Sequence, residues 1–174
     1  VSTSPVGRLE AATAEIEAHV GAAGWGQRPA VFALVRADRF GADEPETAAQ
    51  LGIDGALGEA FVPIEQDALP DGPLDEALAQ IAWPESVAGC ALSQEIVLLP
   101  PSAEADVPDG PESLAAAANH PDRREARLVV GVLREGGTAA VLRLRGADGS
   151  PDGELLTGPD LAPNLADALL ATLH

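Results

Sequence analysis

Few residues in this chain are of types that do chemistry, and their spacing limits what each could do. Three histidines stand at positions 19, 120 and 174. A histidine metal site needs partners at ligand spacing, and none of the three has one. His19 therefore reads as a helix-surface residue, and His120 as a cap or a partner of Asp122. Cys90 is the single cysteine, so it forms no intramolecular disulfide, and it falls on the apolar face of an alternating segment, where a thiol packs rather than attacks. The run "DGSPDGELLTGPD" (148–160) sets Asp148, Ser150, Asp152 and Gly153 at the first, third, fifth and sixth positions of a calcium-binding loop. Pro159 then stands where the bidentate glutamate belongs, so the run reads as a polar turn. No serine lies in a G-x-S-x-G elbow, and no lysine exists to complete a P-loop. The residues thus assign no catalytic role, no cofactor and no metal.

Charge restricts the partners. Acidic residues number 28 against 10 basic ones, a formal charge of −18 over 174 residues, so the chain repels phosphate backbones and acidic membrane surfaces. Nucleic acid and membrane are not expected partners. All ten basic residues are arginine, so any concentrated positive charge must be built from guanidinium groups. With one cysteine, no charged-then-apolar leader and no apolar run near the roughly 20 residues of a membrane helix, a soluble cytoplasmic protein is expected. The length suits one domain, 1–174.

The elements follow from periodicity and punctuation. Ser4 as N-cap, Pro5 at the first helical position and Leu9, Ala12, Ile16 and Val20 at helical spacing predict an N-terminal helix stopped by Gly24. "AVFALVRA" (30–37) predicts a strand, and "ETAAQLG" a short helix ended by Gly52. Pro63 in "EAFVPIEQ" restricts that segment to a sheet edge. "GPLDEALAQIAWP" predicts a helix of about three turns stopped by Pro84, and "ESLAAAANH" a shorter one. Residues 88–98 alternate, with Cys90, Leu92, Ile96 and Leu98 on one face and Ala91, Ser93, Glu95 and Val97 on the other. A C-terminal helix is predicted in "DLAPNLADALLATLH", capped by Asp160, with Leu161, Leu165, Leu169 and Leu173 in one stripe. With further strands at 126–134 and 138–145, the fold class is α+β, with a largely antiparallel sheet of four or five strands packed by N-terminal, middle and C-terminal helices.

The last two strands form a hairpin around Gly136-Gly137. A two-residue turn sets Glu135 opposite Thr138, and outward counting assigns the faces. Val129, Leu133, Ala140, Leu142 and Leu144 fall on one side. The other carries Leu128, Val130, Val132 and Val141 with Arg134, Arg143 and Arg145, extended by Arg123 and Arg124 from the preceding segment. An apolar strip bordered by arginines suits an acidic amphipathic protein segment or a second copy of the chain. Alternatively, a helix covers these valines while the arginines answer the chain's own glutamates.

Taken together, "AWPESVAGCALSQEIVLLPP", "HPDRREARLVVGVLREGG" and "LAPNLADALLATL" resemble a family of uncharacterised actinobacterial proteins, a resemblance that implies no activity or residue role. The order of elements is also similar to that of secretion-chaperone-like domains, which implies dimerisation and partner-polypeptide binding. The expectation is a non-enzymatic protein-binding or chaperone-like module, with an enzyme or small-molecule binder built around His120, the arginines and acidic loops as the alternative.

Overall fold

The computed structural model describes residues 4–53, 58–66, 69, 72–98, 124–146, 152–153 and 155–174. The elements in chain order are α1 (Pro5–Ala22), β1 (Ala30–Arg36), α2 (Ala37–Asp43), α3 (Pro45–Leu51), β2 (Phe61–Glu65), α4 (Leu74–Ala79), β3 (Gly89–Leu98), β4 (Arg124–Leu133), β5 (Thr138–Leu144), β6 (Leu155–Thr157) and α5 (Pro163–Ala171). The six strands form one open sheet in the order β2-β1-β3-β4-β5-β6, with every neighbouring pair antiparallel. The α+β class therefore holds, with more strands than the four or five expected. The additional pairing comes from the short β6, which meets β5 through Val141, Leu142 and Arg143 inside the run read as a polar turn. Pro63 does sit on an edge strand, where a missing N–H costs no central ladder bond.

Helix α1 starts as its local signals dictate. The Ser4 hydroxyl accepts the N–H of Gly7 at 3.1 Å, Pro5 opens the helix, and Leu9, Ala12, Ile16 and Val20 are buried. They pack with Phe32, Leu34, Ala91, Val129 and Val141 on one side of the sheet. The opposite side carries Val31, Val35, Cys90, Leu92, Val130, Val132 and Leu142 against Leu78, Ala166, Leu169 and Leu173. Both faces of the sheet are thus covered, and strands β1, β3 and β4 read as nearly unbroken apolar runs for that reason.

Two helix expectations need correction. α4 is six residues long rather than about three turns, because i→i+3 bonds from Gln80 and Ile81 to Ala77 and Leu78 tighten and end it before Pro84. α5 begins after Ala162, which supplies no side-chain cap, so Asp160 is not its N-cap. Its inward stripe is Ala166 and Leu169, continued by Leu173 just past its end, while Leu161 is exposed.

Cys90 packs beneath α5 as its alternation predicts. Its Sγ donates to the Leu169 carbonyl and lies near Thr172 Oγ1, which accepts the Trp83 indole N–H at 2.9 Å. Burial pushes the thiol above its ordinary range, which suits packing rather than nucleophilic chemistry.

Candidate functional site

The β4–β5 turn decides where the suspected arginines go. Thr138 faces Val132, not Glu135. The Gly136 N–H donates to the Leu133 carbonyl and the Leu133 N–H to the Gly137 carbonyl, giving a three-residue loop closed by glycines at φ 110° and 115°. The register shift is odd, so it turns every β5 side chain to the other face relative to β4. Val130 and Val132 lie on the α5 side with Ala140 and Leu142; Val141 lies on the α1 side with Val129. All three valines are buried within the chain, at 2% exposure or less. The expected apolar strip bordered by arginines is not a surface.

A cleft of about 450 Å³ lies at one end of the sheet, within the roughly 300–1,000 Å³ range of small-molecule sites. It is bounded by the first turns of α1, the junction of β1 and α2, the start of β2, the segment before β3, and the β4–β5 turn. Four arginines line it: Arg8, Arg36, Arg39 and Arg134. The positive end of the α1 dipole lies at the same mouth.

Each guanidinium is held differently. Arg36 donates to both Asp38 oxygens, at 3.2 and 2.7 Å, and to Glu59 at 3.1 Å. The hydrogen bond to Asp38 raises the Arg36 pKa, and the same bond lowers that of Asp38. Arg8 lies 3.6 Å from Glu59 and 5.7 Å from the Phe61 ring centroid. Arg134 donates only to backbone carbonyls, those of Val87 at 3.2 Å, Pro84 at 3.1 Å and Leu173. Among the described residues no carboxylate lies within ion-pair distance of Arg39 or Arg134. The cleft also has exposed carboxylates on Asp43, Glu85 and Glu135, but among the described residues no histidine or cysteine lines it. Such a lining can bind and orient an anion.

From residue 9 to residue 174 the sequence matches the model of the PPA1309-like protein family. The chain belongs to that family. The PPA1309-like match runs through all three segments that carry the family resemblance, and it adds no support for the likeness to secretion chaperones. No curated protein and no solved structure matches the chain.

In this PPA1309-like chain, Arg134 is the described member of the predicted set that lines the cleft. Arg143 and Arg145 serve a different assembly, together with Arg127, which the hairpin count had not singled out. Glu95, Arg127 and Arg143 stand in register across β3, β4 and β5. Glu17 of α1 descends between the two arginines, accepting from Arg127 at 3.1 Å and from Arg143 at 2.7 and 3.3 Å. The side chains of Arg127 and Glu17 are only 2% and 3% exposed. The carbonyls of Gly24 and Gly153 accept from Arg127 and Arg143. The Trp25 ring lies 4.4 Å from Arg127 and 5.5 Å from Arg145, and Arg145 also pairs with Glu125. These arginines answer the chain's own glutamates, the second of the two arrangements expected for the strip. Arg124 is exposed at the start of β4. Arg123 and His120 lie outside the described residues, as does the predicted helix "ESLAAAANH".

Asp152, the fifth residue of the calcium-like run, accepts the Gly146 N–H at 2.9 Å and the Trp25 indole N–H at 3.1 Å. Those bonds, the backbone one first, hold its carboxyl below the ordinary 3.8. Among the described residues no group of three or more histidine, cysteine or carboxylate side chains could hold a metal, and no helix is long and apolar enough to cross a membrane. A depressed carboxyl stabilises the fold above its unfolded pKa, and that contribution is lost as pH falls through the folded value. Trp25 emission is therefore expected to change below about pH 4, and Asp152→Asn should abolish the acid-limb transition. An acid limb unchanged in the variant would assign it elsewhere.

Proposed function

We propose that this chain is a ligand-binding protein whose cleft between α1, α2 and the β4–β5 turn takes up a small anion. The carrying observation is the concentration of four of the ten arginines on one cleft in a chain of net charge −18, two of them without a carboxylate partner among the described residues. Guanidinium groups without a carboxylate partner offer charged donors to an external anion even on an acidic chain. The covering of both sheet faces removes the apolar strip on which the protein-binding reading rested, while the cleft supplies convergent polar groups for the small-molecule alternative.

The test compares sodium acetate and sodium phosphate with sodium chloride at matched ionic strength, following thermal unfolding. At about ten times its dissociation constant a bound anion contributes roughly 1.4 kcal/mol, a rise of about 3–6 °C for a chain of this size. Arg39→Gln, on an exposed helix position, should remove the rise while leaving the anion-free transition in place. An equal rise with chloride, or one that survives Arg39→Gln, would reject the proposal.

A further inference from the structure

We infer that the anion is a monocarboxylate carried on an apolar chain or ring, an inference that rests on the cleft being the anion site. Charge balance gives the first reason. Asp38 and Glu59 answer Arg36 and Arg8, so Arg39 and Arg134 are the lining guanidinium groups without a carboxylate partner among the described residues, and the exposed carboxylates of Asp43, Glu85 and Glu135 stand beside them. Repulsion from these three carboxylates penalises a doubly charged phosphate more than a singly charged anion.

The second reason is the surface left for the rest of the ligand. Phe61, Val87 and Leu133 form an apolar part of the lining and are themselves core residues, at 7%, 6% and 3% exposure. Val6 adds an exposed apolar wall at 38%. It lies off the buried stripe of α1, against the hairpin turn, where a Cβ on Gly137 would come within 3.1 Å of it. A bare anion would leave Val6 wet, whereas an apolar body would cover it.

The third reason is preorganisation. The three carbonyls of Pro84, Val87 and Leu173 fix Arg134 through its Nε and both terminal nitrogens. Of the five N–H groups of a guanidinium this leaves one on each terminal nitrogen, already oriented, so little side-chain entropy is lost when a carboxylate accepts them.

Calorimetric titration of the full chain with octanoate, acetate, inorganic phosphate and octylamine tests the inference. Octanoate should bind at least tenfold tighter than acetate, the gain expected from about two buried methylenes, and octylamine should not compete with it. Arg39→Gln should weaken octanoate about tenfold, the ordinary loss of a hydrogen bond to a charged group. Val6→Ser should narrow the preference for octanoate over acetate without weakening acetate. Acetate or phosphate binding as tightly as octanoate, with loss in Arg39→Gln, would overturn the apolar-body inference and leave the anion site standing. Absence of binding by every anion, or binding indifferent to Arg39→Gln, would overturn both.

Discussion

Replacing Glu17 by alanine is expected to lower the unfolding free energy by about 3–5 kcal/mol, the cost of leaving one member of a buried ion pair without its partner. For a chain of this size that is a fall in melting temperature of roughly 6–20 °C. Arg127 carries the effect. Its side chain is 2% exposed, and without Glu17 it keeps only the Gly24 carbonyl and the Trp25 ring, with its Nε already lacking a hydrogen-bond partner. Arg143, at 29% exposure, can recover hydration more readily. The double variant Glu17→Leu with Arg127→Met should regain most of the loss, since a desolvated pair is worth little more than an apolar pair of similar volume. Glu10→Ala, on the exposed side of the same helix, should shift stability by no more than about 0.5 kcal/mol. A Glu17→Ala effect as small as that control would show that water enters the network and hydrates Arg127.

The second large effect is expected where α1 presses on β4. Leu9 is fully buried, and Leu9→Ala should cost about 2–5 kcal/mol through lost burial and the cavity left behind. Gly131 lies directly beneath it: a Cβ there would meet Thr13 Cγ2 at 2.9 Å and Leu9 Cδ1 at 3.0 Å. Gly131→Ala alone should therefore cost about 1–3 kcal/mol by overpacking. Combined, the two changes should cost less than their sum by about 1 kcal/mol or more, because the new methyl enters the space that the leucine vacates. Denaturant melts of the four proteins give this coupling directly. Strict additivity would mean that the helix does not seat through this pair.

The elements legible in the sequence are those whose determinants are local. In α1 the cap, the proline and the apolar stripe all fall within one segment, and the helix follows them. The alternation of residues 89–97 likewise places Cys90 and Leu92 on one face and Ala91 on the other. The hairpin faces were misread because two adjacent glycines do not determine which of them closes the turn, and an odd error in loop length exchanges faces. β6 was missed because three residues are too few for a period to show. Glu17 did leave a signal, a carboxylate next to Ile16 on the buried side of a helix, but its partners lie 110 and 126 residues away. The cleft is harder still. Arg8, Arg36, Arg39 and Arg134 meet only because strand order brings several element ends together, and that order is a property of the whole sheet.

The separation between Glu17 and its two arginines also bears on how the chain acquires its structure. Contacts this distant form only after a large loss of chain entropy, so the sheet centre is expected to assemble slowly compared with the turns of α1. During synthesis α1 emerges more than a hundred residues ahead of Arg127, and its apolar stripe lacks the Val129 and Val141 part of its seat until β4 and β5 exist. The helix thus waits for strands made much later to complete its packing, and a charged residue on that stripe keeps it from associating with the wrong apolar surface in the meantime.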